Sequence, residues 1–271
     1  MPNAVRFAVT PLTPVSELEA HISTNEARGL PEAVPEPATA FLCASGPSLA
    51  LDGPESFWAA HEARPEVPVI AVNGALGPLL ARDVVPTFWA ACDGAEKVAD
   101  FLTEAPAETI YLVASRCHPK VFERLKGRHV RVWRLDDERR AHYSDCSTHS
   151  APAYQSGACD CGGLPSVQHA ISVTLCAQNL LRLMGFGRVE CWGWDGNFDS
   201  DGAAYANGSR TAGSPQKLEV AGRAFATTNA WLAEMRDAEI QARNWKAMGY
   251  QLAVHGPGAM GAVLRARGLI G

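Results

Sequence analysis

The chain is 271 residues long and 47% hydrophobic with a net charge of −5, enough to bury a full core in one large domain. That charge excludes the basic footprint of a nucleic-acid or anionic-membrane binder, and no apolar run reaches the length of a membrane span. The eight cysteines are scattered rather than spaced as a disulfide framework, and "MPNAVRFAVTPLTPV" lacks a basic stretch and a cleavage site, so a cytoplasmic protein with reduced thiols is expected.

Residues 1–37 are rich in Pro and Glu around a short helical patch, "VSELEAHIST", and read as an N-terminal arm. From residue 38 a regular alternation begins. Strands are predicted at 38–43, 68–72, 87–91, 109–114, 130–135, 189–192 and 251–255, several of them continuous apolar runs of the kind covered on both faces. Helices are predicted at 55–63, 119–126, 166–184, 224–248 and 259–266, with Ser166 as an N-cap and Gly185 closing the third. Strands alternating with helices predict an α/β fold, an open and mostly parallel sheet with helices on both faces. The expected organisation is one nucleotide-binding domain over 38–271. It is interrupted by a polar loop at 141–163 that carries Cys146, His149, Cys159 and Cys161. Those four are soft ligands and could hold zinc, although their spacing is not that of paired knuckles. Cys43, Cys92, Cys176 and Cys191 lie in or beside apolar runs and read as packed thiols.

In such a sheet, ligands sit beyond the carboxyl ends of the strands, so the residues there are the test. After the first strand come Ser45, Gly46, Pro47 and Ser48, small residues whose bared N–H groups and hydroxyls suit an anion. Asn73-Gly74 follow the second strand and Asp93 the third. "SRCHP", with Cys117 and His118, follows the fourth, and Gly193, Asp195 and Tyr205 lie beyond the sixth. Ser48, Asp195 and His255 fall in the order of a serine hydrolase, but Asp52-Gly53-Pro54 interrupts the helix that a nucleophile elbow needs. "GPGAMG" (256–261) fits a dinucleotide fingerprint. No second strand with an acidic ribose ligand follows it, so it reads as a helix-initiating turn.

In order and spacing, "CASGPSL" (43–49), "IAVNGAL" (70–76), "VPTFWAACD" (85–93) and "SVTLCAQNLLRLMGFGRVECWGWD" (172–195) resemble the MptE-like 6-hydroxymethylpterin diphosphokinase family. "AAYANG" and "VAGRAFATTNAWLAEM" look like its bacterial and phage-borne members, and the likeness covers about 38–260. The chain departs from the family at Ala170-Ile171, where many members carry Gly-Ser. More distantly, the same pattern resembles bacterial sialyltransferases that use a CMP-sugar, in which a Tyr placed like Tyr205 contacts the leaving phosphate.

The resemblance implies a Rossmann-like fold and transfer of a diphosphoryl group from ATP to a small hydroxymethyl acceptor, with Mg²⁺. It implies nucleotide binding by Ser45, Gly46, Pro47, Ser48, Asn73, Gly74, Ser172, Gly193 and Tyr205. Asp93 and Asp195 would hold Mg²⁺ or orient the acceptor, and His118 would serve as acid or base. Arg116, Arg188 and Arg210 would be the cations within reach. The alternatives are a glycosyltransferase using a nucleotide-sugar and a non-catalytic nucleotide-binding protein. The expected partners are a nucleotide and a small acceptor, with a homodimer as the base-rate assembly.

Overall fold

The computed structural model describes residues 38–136, 166–168, 171–209 and 214–271. The arm, the 141–163 loop with its four soft ligands, and Arg210 lie outside the described residues. The strands are β1 (Thr39–Cys43), β2 (Val69–Val72), β3 (Phe88–Ala91), β4 (Ile110–Ala114), β5 (His129–Asp136), β6 (Ser166–Gln168), β7 (Arg188–Trp192), β8 (Gln216–Val220), β9 (Arg223–Thr227) and β10 (Gln251–Val254). Seven of them form an all-parallel sheet in the order β10-β7-β1-β2-β3-β4-β5, and the three-residue β6 pairs in parallel with the outer side of β5. The helices are α1 (Phe57–Ala63), α2 (Leu76–Leu80), α3 (Pro119–Arg124), α4 (Val173–Leu183), α5 (Asn229–Ala247) and α6 (Ala259–Ala266). Among the described residues no helix is long and apolar enough to cross a membrane.

The central strands β1 to β4 are almost wholly apolar because both faces are covered. Phe41 of β1 turns to one face, where its ring meets Trp192 edge-on at 5.0 Å and Phe57 of α1 at 6.2 Å. Cys191 of β7 turns to the other face and meets Gln178 of α4. Helix α4 is buried from Thr174 to Leu181, so its polar members need partners. Gln241 of α5 supplies them, accepting from Asn179 at 3.0 Å and donating to Gln178 at 2.8 Å. Cys43, Cys92, Cys176 and Cys191 are buried free thiols, as their apolar surroundings predict.

Two predicted helices overrun a strand that precedes the observed helix. The third begins at Val173, with Ser172 rather than Ser166 as its N-cap (Oγ accepting from Leu175 N at 3.3 Å), because 166–168 pairs with the sheet as β6. In the fourth, 224–227 belongs to β9. The β-branched pair Thr227-Thr228 favours extended backbone, and Thr228 caps α5 by accepting from Trp231 N at 3.2 Å. The β8–β9 hairpin, absent from the sequence reading, turns through Ala221 (φ 48°) and Gly222 (φ 76°), both left-handed as a tight two-residue hairpin turn requires.

Phe41 is fully buried at the centre of the sheet. Phe41→Ala should cost about 3–5 kcal/mol in urea unfolding; a loss below about 1 kcal/mol would mean that this ring cluster does not anchor β1.

Candidate functional site

From β1 the chain runs outward through β2 to β6, then returns to the other side of β1 as β7 and β10. The switch point therefore lies between β1 and β7, where open α/β sheets leave a crevice. The two exits are stitched together there. Ala44 N–H donates to Trp192 O at 2.9 Å and Gly46 N–H to Gly193 O at 2.7 Å. This approach is what the two glycines permit. A Cβ on Gly46 would stand 2.4 Å from Gly193 O, and one on Gly193 (φ 67°) would stand 2.2 Å from Ala44 O.

Pro47 then opens a short 3-10 turn, Pro47–Ala50, and Ser48 N–H donates to Asp195 Oδ2 at 2.8 Å. The Ser48 hydroxyl bonds the same carboxylate. Burial pushes the Asp195 carboxyl above its ordinary range, and the two Ser48 bonds offset only part of that. Gly258 closes the other side, where a Cβ would lie 2.6 Å from Asp195 Oδ1. Two expectations are corrected by this geometry. The N–H groups of Gly46 and Ser48 are not bare, because Gly193 O and Asp195 occupy them. Asp195 is also not offered to a cation shared with Asp93. It is buried, and β7 and β3 stand three strands, or about 14 Å, apart. A hydrolase triad fails on the same grounds, since Asp195 bonds the serine itself rather than a histidine.

Register places Asn73 beside Ser45, each two residues past the paired Cys43 and Ala71. Asn73 has φ 46°, in the left-handed region that few residues with a side chain enter, and its carbonyl accepts from Trp89 Nε1 at 2.9 Å. Its side-chain Oδ1 is buried and has no hydrogen-bond partner among the described residues. Gly74 packs on Phe101, whose ring would be 3.2 Å from a Cβ there. Tyr205 is brought to the same place, because Ala206 N–H donates to Ser45 O at 2.8 Å, and its side chain is partly exposed. Ser172 is close but committed. It caps α4 and bonds Glu234, which also accepts from Trp194 Nε1 at 2.8 Å.

The remaining predicted residues lie farther out. Asp93 is half-buried at the exit of β3, with Oδ1 accepting from Ala95 N at 2.9 Å. His118, three strands from β1, caps α3 through Nδ1, which accepts from Lys120 N at 3.2 Å, and its Nε2 lies 3.8 Å from Glu96. The structure does not bring it to the switch point. Arg116 stays near Cys92 and Cys117 on the β3–β4 side. Arg188 begins β7, at the opposite end of the strand, where Nε donates to Glu190 at 2.9 Å. Among the described residues no cluster of three or more His, Cys, Asp or Glu side chains is arranged to hold a metal.

Sequence reasoning passed over Glu190, a carboxylate inside a strand that is otherwise apolar where covered. Arg64, at the C-terminal cap of α1, grips it with both terminal nitrogens at 3.0 and 2.9 Å, and His255 Nε2 lies 3.4 Å away. The signal was present: a charged residue in "RVECW" must find partners when its strand is covered.

The fold is similar to that of the MAf glycosyltransferase from Magnetospirillum magneticum AMB-1, with a TM-score of 0.58 at 15% identity over 89% of this chain. The present chain spans only 36% of that protein's length. No curated protein matches the chain significantly. The family model described as "6-hydroxymethylpterin diphosphokinase MptE-like" matches residues 17–201, and the chain belongs to that MptE-like family.

Proposed function

We propose that the chain is a nucleotide-dependent transferase that moves a diphosphoryl group from ATP to a small hydroxymethyl acceptor. Family membership supports nucleotide use. The observation that carries the reading is Asn73, a left-handed residue next to the switch point whose buried Oδ1 has no donor among the described residues. A buried polar atom left unpaired costs stability, and a cost of this kind persists where it serves a ligand. An amide oxygen accepts, so its partner is a donor such as the amino group of adenine or a ribose hydroxyl.

In this reading Ser45, Gly46, Pro47 and Ser48 form the wall against which the nucleotide lies. Gly74 and Gly193 keep that wall close to the backbone, and Tyr205 reaches a phosphate. Ser172 contributes by fixing the start of α4. Phosphoryl transfer asks the protein mainly for positioning and charge relief. Mg²⁺ commonly takes one or two carboxylates, with phosphate oxygens and waters completing its shell, so the single carboxylate Asp93 fits it. When bound, Mg²⁺ would neutralise phosphate charge. The second reading is a glycosyltransferase with a nucleotide-sugar donor, favoured by the similar fold of the MAf glycosyltransferase.

A thermal-shift panel of ATP, GTP, CMP and CDP, with and without Mg²⁺, separates the readings. Saturating ATP with Mg²⁺ should raise Tm by about 5 °C or more. A shift with CMP alone would favour glycosyl transfer, and binding without turnover of any acceptor would favour a non-catalytic binder.

Two substitutions test individual residues. Asn73→Gly should leave the free protein as stable or more stable, since glycine tolerates this φ. It should also weaken ATP binding about tenfold or more; unchanged affinity would remove Asn73 from the site. Asp93→Asn should abolish Mg²⁺-dependent AMP release while the fold persists, and full activity would contradict the role assigned to Asp93.

A further inference from the structure

Beyond β7, on the face of the sheet carrying α1, a groove of about 560 Å³ opens between α1 and β10. Ala59, Ala60 and Ala63 form its α1 wall, and their small side chains keep it open. Its floor is ordered by charge and stacking. The His255 ring lies flat on Trp192, with centroids 4.3 Å apart and planes 9° apart. Its Nε2 lies 3.4 Å from the buried Glu190, whose hydrogen bonds come from Arg64 and Arg188. Nε2 lies within ion-pair reach of that carboxylate without making a hydrogen bond to it. The negative charge there favours the tautomer with its proton on Nε2, which leaves Nδ1 as the nitrogen that accepts a proton.

The groove adjoins the switch point. His255 directly follows β10, one strand beyond β7, and a Cβ on the next residue, Gly256, would lie 3.0 Å from Ser48 Oγ. His118, by contrast, is three strands from β1 on the opposite side.

We propose that this groove is the acceptor side of the transferase site, that His255 is its general base, and that Glu190 is the residue positioning it. The proposal rests on the diphosphoryl-transfer reading above. In the step, the acceptor hydroxyl oxygen attacks the β-phosphorus of ATP and forms the new O–P bond. The bond from that phosphorus to the oxygen bridging the α-phosphate breaks, and AMP leaves with the electron pair. The hydroxyl proton passes to Nδ1 of His255, which later releases it to water.

The charges around the ring suit this use. Burial lowers the His255 pKa below the ordinary histidine value, and Arg188 and Arg64 act in the same direction. Glu190 opposes them by favouring the imidazolium. The groove is also lined by Arg265, whose Nη1 donates to Val254 O at 2.8 Å, and by Glu55. The net result is a histidine that is neutral at pH 7 and beside a carboxylate that steadies its charged form.

The test uses the full chain with ATP, Mg²⁺ and 6-hydroxymethylpterin. AMP release is followed from pH 5 to 8, and the His255 ring is titrated by NMR. The rate should rise with pH as His255 loses its proton, with a midpoint at the NMR pKa and below the ordinary histidine value. His255→Gln should keep ATP affinity within about twofold, lose about a hundredfold in rate and lose the acid limb. Glu190→Gln removes the charge that favours imidazolium, so the limb should move to lower pH. An acid limb or full rate surviving in His255→Gln, or an imidazolium at pH 7, overturns the proposal. If ATP binds but no AMP forms, a shift of the His255 resonances on adding the pterin still supports the groove, and no shift overturns it. Failure of ATP to bind the unaltered chain instead strikes the transferase reading itself.

Discussion

The site depends on one buried carboxylate. Asp195 leaves the end of β7, enters the turn after β1 and satisfies Ser48 through both backbone and hydroxyl. Its own backbone carbonyl accepts from Met260 N at 2.9 Å, which ties the start of α6 to the same point. Three chain segments distant in sequence are thereby clamped at the switch point. The clamp works only because Gly46, Gly193 and Gly258 leave no Cβ in the way. A carboxylate so enclosed is an organiser: it fixes the shape of the crevice rather than meeting a ligand in it.

That arrangement explains how the first turn can be rigid and still lie against a ligand. The N–H groups of Gly46 and Ser48 are consumed internally, so the turn offers a preformed surface rather than a ring of free donors. The unmet hydrogen-bonding capacity has moved one strand over, to Asn73. Its left-handed backbone and unpaired oxygen are a local cost that the tightly packed β1–β2 exits can sustain. Within β7 itself, Glu190 and its partners make a second ordered polar cluster, five residues before Asp195 in the chain.

Much of the framework was legible in the sequence. All seven predicted strands are present, and the central ones were the plainest to read, because a parallel strand covered on both faces is mostly apolar and is bounded by turn residues. The Gly46 and Gly193 turns were also readable, since small residues at strand ends announce close approach. What could not be read was who bonds whom. Asp93 and Asp195 look alike as carboxylates following strands, and only the strand order reveals that one is half-buried at β3 and the other buried at β7. His118 and His255 both follow strands too, and topology alone moves the first away and the second near. Ser166 and Ser172 are equally good caps by type, and long-range pairing of β6 decided between them.

The account stands on the claim that the exits of β1, β2 and β7 grip a nucleotide. The most direct measurement is a crystal structure with a non-hydrolysable ATP analogue and Mg²⁺. The account predicts the nucleotide against residues 45–48, with a donor of its base or ribose about 3 Å from Asn73 Oδ1. A nucleotide bound elsewhere on the molecule, with Asn73 Oδ1 still unpaired, would contradict it.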